Sequence, residues 1–377
     1  MIRAAVGIAA VVCLTLALEP IASADPPAPA PQPVLHPLAP GQVVRMGPIA
    51  GTGTPTRDYG IGATDLCEFV EFPSGILQVC GDSFAGQGAG FGGWYSPIAL
   101  HVETDSIDEP TGVRYGGVMG VDKPLLADPT PPGSSQLPSG VVAINRENYM
   151  LVTTTTNLVP GPSRLVKANP AQGNWPTVPH SERSVKWAGG RQSQISGYYD
   201  PIPTPDSPSG WVYIVANNFD RSGPVELYRA TPRSFTDRGS WQAWSALAGP
   251  AGGWGKSPTP LWADKVGELS VKQIDGKAVL SYFNATTGNM EVRVASDPTL
   301  LGSALVTTVV VAAPWPERAD DLPPPEDNRL AQPYGGYISP GSTIDELRIF
   351  VSQWNTVPQA DNAPYRVIQF AVNPFKP

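Results

Sequence analysis

Short apolar runs that end in turn-forming residues occur along most of this chain and exclude most helical folds. Almost every run is rich in β-branched or aromatic residues and is followed by glycine, proline, asparagine or aspartate. The 377 residues include 39 glycines and 44 prolines, enough for a turn after each run. A helix needs a longer apolar pattern with a period of 3.6 residues, which is scarce here. The sequence therefore predicts an almost entirely β protein.

The first 40 residues do not follow this pattern. One positive charge precedes an apolar segment from Ala4 to Leu18, and Ala22-Ser23-Ala24 has the small residues of a cleavage site. Residues 1–24 are therefore predicted to be a secretory signal peptide, too short in its apolar part to span a membrane comfortably. Residues 25–40 are mostly proline and alanine, typical of an extended linker. We predict one domain over residues 41–377, secreted or in the cell envelope, without a membrane anchor.

The strand pattern repeats along this domain. The clearest predicted strands are Val141–Asn145, Tyr149–Thr155, Trp211–Asn217, Val225–Ala230, Glu268–Ile274, Lys277–Phe283, Met290–Ala295, Leu305–Ala312, Glu346–Gln353 and Tyr365–Val372. They fall into five groups at irregular spacing, each with two or three strands in hairpin succession. A repeated antiparallel meander is typical of a β-propeller. We predict an all-β, five-bladed β-propeller whose last blade is completed by Val43–Met46, with a β-sandwich as the alternative.

Charge limits the possible partners. Charged residues make up 15% of the chain, and the net charge is -8. An acidic, sparsely charged surface argues against nucleic acid or an anionic membrane as a partner and favours a neutral ligand such as a carbohydrate. The three histidines are not clustered with other metal ligands, and no Gly-x-Ser-x-Gly motif is present. We predict no metal and no cofactor, and we expect a monomer.

Cys67 and Cys80 remain after removal of the signal peptide. The segment from Leu66 to Val79 has strand-like residues at both ends and a Pro73-Ser74-Gly75 turn near its middle, which predicts a β-hairpin. An even number of cysteines in an exported protein favours a disulfide, and a hairpin would bring these two side by side. The sequence therefore predicts a Cys67–Cys80 disulfide.

Asp65 and Asp82 flank the two cysteines and would lie just beyond the bridge, at one end of the sheet. Glycosidic bond hydrolysis uses two carboxyl groups, one as the acid and one as the base or nucleophile. The two aspartates are therefore a candidate catalytic pair. Aspartate is also common at strand ends as a turn-forming residue, so residue types alone leave both interpretations open.

A third acid and several aromatic residues are candidates for substrate binding. Glu268 opens a strand that otherwise has a core pattern. Large aromatic side chains near glycine- or serine-rich segments offer surfaces on which sugar rings stack, although most such side chains belong to the core. The aromatic candidates are Trp94, Tyr95, Tyr334, Tyr337 and Trp354.

Several motifs, taken in order along the chain, resemble those of the secreted actinobacterial endo-D-arabinanase family, long catalogued as a domain of unknown function. The motifs are Thr64–Leu66, Gly81–Phe84, Gly267–Val271, Leu280–Asn284, Glu291–Arg293, Tyr334–Pro340 and Phe350–Asn355. They span most of the mature chain. The sequence departs from the family pattern at Cys67, Cys80 and Ser83, where other residue types are usual.

This resemblance implies a five-bladed β-propeller that cleaves internal α-D-arabinofuranosyl linkages in the arabinan of mycobacterial arabinogalactan and lipoarabinomannan. The family's catalytic aspartates correspond to Asp65 and Asp82. Asn284 and Arg293 belong to the shared motifs, and we expect them to bind substrate. Two alternatives remain: a non-catalytic propeller that binds a cell-wall glycan, if the cysteines displace an aspartate, and a plain interaction scaffold.

Overall fold

The computed structural model of the chain describes residues 37–375, except for residues 108, 110, 188–190, 316–325 and 357–361. The predicted signal peptide and most of the predicted linker lie outside the described residues. The described part consists of β-strands, turns and a few short 3-10 helices, which confirms the all-β prediction. None of its helices is long and apolar enough to cross a membrane.

The secondary structure follows the chain in short strands. Strands in the first half are β1 (Val43–Gly51), β2 (Ala63–Thr64), β3 (Glu68–Phe72), β4 (Gly75–Cys80), β5 (Ser83–Phe84), β6 (Trp94–Tyr95), β7 (Ile98–Val102), β8 (Tyr115–Met119), β9 (Ser135–Ile144), β10 (Glu147–Thr156), β11 (Val159–Lys167) and β12 (Gln194–Asp200). Strands in the second half are β13 (Trp211–Asn217), β14 (Glu226–Ala230), β15 (Gln242–Ser245), β16 (Gly253–Gly255), β17 (Val266–Ile274), β18 (Lys277–Asn284), β19 (Met290–Ala295), β20 (Val306–Ala313), β21 (Arg329–Ala331), β22 (Pro333–Ile338), β23 (Leu347–Trp354) and β24 (Tyr365–Val372). The 3-10 helices are Pro55–Tyr59, Thr104–Ser106, Arg238–Ser240 and Pro298–Ser303.

The ten strands predicted from the apolar pattern are all present, and β13, β19 and β24 have the predicted bounds. Strand β22 was missed because its sequence contains two adjacent glycines, Gly335 and Gly336, with φ of 75° and 115°. A Cβ atom on Gly336 would lie 2.0 Å from the Met290 Cε atom. Gly336 therefore lowers the strand propensity of this segment, but its small size is required for β22 to pack against β19.

The strands form antiparallel meanders that follow one another along the chain. In chain order the meanders are β3-β4-β7-β8, β9-β10-β11, β12-β13-β14-β15-β16, β17-β18-β19-β20 and β22-β23-β24-β1. A short parallel pairing of β9 with β12 joins the second and third meanders into one eight-stranded sheet, and β21 pairs in parallel with β20. Strand β1 pairs with β24, with Val43 opposite Val372. The start and the end of the described chain therefore share one sheet, as predicted for Val43–Met46.

Neighbouring meanders pack against each other through their faces. The first strands are in contact from β3 to β9, β9 to β12, β12 to β17 and β17 to β22, and β22 contacts β3. Between each two neighbouring meanders lies one buried apolar cluster; for example, Phe69 of β3 meets Phe350 of β23 with ring centroids 4.8 Å apart. Serine hydroxyls add links between meanders. Ser196 Oγ accepts from Val271 N at 2.9 Å, Ser270 Oγ from Ile338 N at 3.2 Å, and Ser352 Oγ from Leu66 N at 3.0 Å.

The predicted hairpin between the cysteines is present as β3 and β4. Its ladder runs from the Glu68–Val79 pair to the Phe72–Gly75 pair. Cys67 and Cys80 continue that register by one position and are joined by a disulfide, as predicted. Both side chains are fully buried in the cluster between the first and last meanders.

We expect replacement of both Cys67 and Cys80 by alanine to lower the free energy of unfolding by up to about 3 kcal/mol. The bridge closes a short loop, and its loss returns conformational entropy to the unfolded chain. Urea denaturation of the purified variant and parent measures the difference, with non-reducing mass spectrometry as the control for the bridge. Equal midpoints would contradict a stabilising role.

Candidate functional site

The two aspartates face each other in a gap within one long hairpin. The ladder of β3 and β4 stops before the disulfide and resumes in β2 and β5 with the same register. Asp65 and Asp82 lie in this gap, directly opposite one another in that register. Across the gap, the Gly81 amide donates a hydrogen bond to the Asp65 carbonyl oxygen at 2.8 Å. The hairpin therefore brings the two carboxyl groups to one place, next to the disulfide.

Backbone conformation keeps the gap open. Leu66 has a φ of 51°, a left-handed conformation that costs a non-glycine residue roughly 1 kcal/mol. Its amide donates to the Ser352 hydroxyl of the last meander instead of to the opposite strand. Position 81 requires glycine, because a Cβ atom there would lie 2.6 Å from Asp65 Oδ1. The space that a side chain would fill is occupied by the Asp65 carboxyl group.

Asp65 is buried and its environment disfavours the charged form. Tyr334 donates its hydroxyl hydrogen to Asp65 Oδ2 at 2.8 Å. Burial raises the pKa of Asp65 to about 8, helped by the nearby charges of Asp82 and Glu268 and opposed by the hydroxyls of Tyr365 and Tyr334. Asp65 therefore keeps its proton at neutral pH.

Asp82 lies in a less closed environment. Its Oδ1 atom accepts a hydrogen bond from the indole nitrogen of Trp94 at 2.9 Å. Burial raises the pKa of Asp82, and hydrogen bonds from Trp94, Ser96 and Ser135 lower it in part. Both carboxyl groups accept hydrogen bonds that stabilise their anions, and they differ in burial, since Asp65 is buried while Asp82 is half-buried.

Glu268 lies beside this pair and is neutralised by an arginine. Arg221 donates to Glu268 Oε1 from Nε at 3.1 Å and from Nη2 at 2.6 Å, and the Gly335 amide lies 3.3 Å from Oε2. Burial by itself would lower the pKa of Arg221, but Glu268 raises it above its ordinary value. The Arg221 guanidinium also lies 5.0 Å from the Phe283 ring centroid. Arg221 therefore joins an acid of the site to an aromatic wall.

Arg221 was missed in the sequence analysis. It lies in the turn between β13 and β14 and has a left-handed φ of 59°. No strand pattern singles it out. The one feature of the sequence that could have indicated Arg221 is a charged residue in a turn. Charged turn residues are too common to identify a site.

These side chains line one cavity of about 550 Å³. Five predicted residues take part in its wall: Asp65, Asp82, Glu268, Tyr334 and Trp354. Further aromatic side chains form much of the remainder. They are Phe84, Phe219, Phe283 and Tyr365. The cavity thus combines two opposed carboxyl groups with flat apolar surfaces.

The other predicted binding residues lie elsewhere. Tyr337 is buried in a cluster with Leu66 and Tyr334. Trp94 and Tyr95 line a neighbouring cavity. Asn284 and Arg293 do not line either cavity, and both side chains form hydrogen bonds to other residues of the domain. The Asn284 amide nitrogen lies 3.1 Å from Glu291 Oε2, and Arg293 Nη1 donates to the carbonyl groups of Leu301, Gly302 and Ala304.

Within the described residues, no three histidine, cysteine, aspartate or glutamate side chains are grouped so as to hold a metal ion. The polar groups that line the cavity include the carboxyl groups of the three acids, the Tyr334 hydroxyl and the Arg221 guanidinium. Two carboxyl groups with different environments are what acid–base or nucleophilic catalysis at a glycosidic bond requires.

We expect Asp65→Asn to become progressively more stable, relative to the parent, as the pH rises from about 4 to about 8. Asp65 loses its proton near its ordinary pKa of 3.8 when unfolded but near 8 when folded. Between those values the unfolded state binds fewer protons, so ionisable Asp65 makes the parent less stable as the pH rises, and asparagine removes this effect.

Urea denaturation of the parent and Asp65→Asn across this pH range measures the change. Asp58→Asn is a matched control, because Asp58 is exposed on the first 3-10 helix. The stability of Asp65→Asn should rise relative to that of the control as the pH rises. An equal pH dependence of the two variants would contradict a raised pKa of Asp65.

Comparison with known proteins gives the chain's family. Residues 50–371 match the family described as "Domain of unknown function (DUF4185)". The chain is 72% identical over 335 residues to an uncharacterized 35.9 kDa protein of Mycolicibacterium smegmatis, a match that covers 89% of this chain and 99% of the relative.

Solved structures add a likeness of fold. A Bacteroides ovatus protein described as a proposed hydrolase superposes with a TM-score of 0.55 at 13% identity, over 84% of this chain and 87% of that one. The catalytic domain of a Coprinopsis cinerea GH62 α-L-arabinofuranosidase superposes with a TM-score of 0.47 at 12% identity, over 88% of this chain and 98% of that one. The match over residues 50–371 shows that the chain belongs to the DUF4185 family of domains of unknown function.

Proposed function

We propose that this protein is a secreted glycoside hydrolase that cleaves internal α-D-arabinofuranosyl linkages in cell-wall arabinan of the mycobacterial type. The observation that carries this proposal is the pair Asp65 and Asp82, opposed in one hairpin at an aromatic-walled cavity. The motifs shared with the endo-D-arabinanase family support the choice of substrate. The scarcity of charge along the chain also fits a neutral polysaccharide.

The proposed roles of the two aspartates follow from their environments. Asp65, with a pKa of about 8, holds a proton at neutral pH and donates it to the glycosidic oxygen as the bond to the anomeric carbon breaks. Asp82, whose anion is stabilised by Trp94, either activates the water that adds to that carbon or attacks the carbon first. If Asp82 activates the water, Asp82 takes one proton from that water and passes it to solvent, from which Asp65 regains a proton. If Asp82 attacks first, Asp65 takes the proton of the water that later frees the sugar from Asp82. Either way the net reaction adds one water across the broken bond.

The remaining lining has a supporting role in this proposal. Glu268 adds negative charge near Asp65 and so helps it to retain its proton. Arg221 balances the charge of Glu268, while Asp82 and Asp220 keep the lining acidic. The rings of Trp354 and Phe84 offer flat surfaces for the sugar. An uncharged sugar chain fits such a cavity better than an anionic ligand.

The finer architecture is also part of the proposal. We propose that the successive meanders are the five blades of a β-propeller, closed by the pairing of β1 with β24. The chain of contacts between first strands, from β3 round to β22 and back to β3, supports this arrangement. The disulfide and the sequence of residues 1–24 support export. The protein would then act outside the cell or in its envelope, as a monomer.

We expect the purified protein to release oligosaccharides from mycobacterial arabinogalactan. Asp65→Asn and Asp82→Asn should each lower turnover by about 100-fold or more, because each removes one half of the acid–base pair. Asp58→Asn is the matched control and should retain full activity. Chromatography of the released sugars measures the effect, with xylan as a control substrate.

An active Asp65→Asn/Asp82→Asn double variant would overturn the catalytic assignment. If the parent releases nothing but retains the polysaccharide, the non-catalytic glycan-binding alternative replaces the hydrolase.

We expect activity to decline as the pH rises through about 8. Above the pKa of Asp65 the acid has lost its proton, so protonation of the departing oxygen fails. The pH profile of kcat/KM measures this limb on a soluble arabinan fragment. A profile that stays flat up to pH values well above about 8 would show that Asp65 is not the acid.

A further inference from the structure

A second cavity, of about 860 Å³, meets the candidate site at Trp94. Trp94 lines this cavity, while its indole nitrogen donates to Asp82 of the first cavity. Two consecutive residues of β9 also lie where the cavities meet, since Gln136 lines the second cavity and Leu137 lines the first. The two cavities therefore share a boundary at one of the proposed catalytic carboxyl groups.

The second cavity presents groups that are suited to sugars. Trp94 is 47% exposed, which is unusual for so large an aromatic side chain. Gln172 and Asn174 are exposed, and their side-chain amides make no hydrogen bond to any described residue. The backbone that carries them is held in place, because the Asn174 amide donates to the Pro124 carbonyl and the Trp175 amide to that of Leu125. A fixed loop thus offers two unused amides beside an exposed ring.

Charge in this cavity is largely satisfied within the fold. Asp128 accepts from Arg164 Nε at 3.1 Å and also binds the Thr177 hydroxyl. Gln136 Oε1 accepts from the same arginine at 2.9 Å. Lys123 is the other charged side chain among the described lining residues. Amides, a ring and an acid that is already paired within the fold favour a neutral ligand with hydroxyl groups.

We infer that the second cavity binds the arabinan chain on one side of the cleaved bond, with Trp94 as a platform for one sugar and Gln172 and Asn174 as hydrogen-bond partners for the next. This inference rests on the proposed function. A chain that fills both cavities has its reacting bond inside the polymer and not at an end. Trp94 is in addition a positioning residue, because it binds Asp82.

The double variant Gln172→Ala/Asn174→Gly tests this binding surface. Glycine is chosen because Asn174 has a left-handed φ of 64° that alanine would strain. The matched control is Gln273→Ala/Asn145→Gly, since Gln273 is exposed on β17 and Asn145 is an exposed turn residue with a φ of 57°. Both pairs are placed in an Asp65→Asn background, so that binding is measured without cleavage.

Calorimetric titration with D-arabinan oligosaccharides of increasing length gives the result. We expect the test pair to weaken binding of long oligosaccharides by about tenfold or more and to leave short ones unchanged, because two hydrogen-bond partners are lost. The control pair should bind like the parent. Equal affinities for the test and control pairs, or no binding at any length, would overturn the inference.

The two proposals fail in different ways. If the active parent releases oligosaccharides and the test pair neither loses affinity nor changes the product sizes, the second cavity is not a binding site and the hydrolase stands. If the parent releases nothing but the test pair still loses affinity for long chains, the cavity binds glycan and the hydrolase proposal fails.

Trp94→Phe tests the positioning role separately, because it keeps a ring and removes the hydrogen bond to Asp82. That hydrogen bond lowers the pKa of Asp82, so its loss should raise this pKa and move the acid limb of the pH–activity profile to higher pH. A purely structural role would lower activity by the same factor at every pH. That outcome would overturn the positioning assignment.

Discussion

The antiparallel register between residues 63–72 and 75–84 is the constraint on which the site depends. It sets Cys67 against Cys80 and Asp65 against Asp82, because both pairs continue the ladder of the same hairpin. The ladder is open from the Cys67–Cys80 pair to the Asp65–Asp82 pair. A slip of one residue would turn each side chain to the other face of the sheet and separate the pair. The disulfide next to the gap holds that register.

Burial of the acids destabilises the folded state, and contacts from neighbouring meanders offset this loss of stability. Asp65 is desolvated beside two other acids, which makes its charged form unfavourable and the parent less stable as the pH rises. Two hydrogen bonds to the last meander stabilise this region. The Leu66 amide donates to the Ser352 hydroxyl, and the Tyr334 hydroxyl donates to the Asp65 carboxyl group. A pair of aspartates on an isolated hairpin would be solvated, with ordinary pKa values. The chemistry of the pair therefore depends on the packing of the first and last meanders.

Much of the fold was predictable from local pattern, while the site was predictable in part. The strand pattern, the hairpin and the disulfide follow from short-range chemistry, and the structure has them. The Arg221–Glu268 ion pair was not predictable, because its partners come from different meanders and Arg221 lies in an ordinary turn. Asn284 and Arg293 have partners inside the fold although their motifs are shared with a hydrolase family. A motif records which residues occur together and does not distinguish a structural contact from a ligand contact.

The sequence by itself determined the β class of this protein, the position of most strands and the pairing of the cysteines, since these depend on residues that are near one another along the chain. Only the tertiary structure decided which acid is desolvated, which aromatic rings face a cavity and which are core, and where the two cavities meet. Those properties depend on what neighbouring meanders bring from distant parts of the chain. Burial and electrostatic environment are sums over such contacts, and no local pattern contains them.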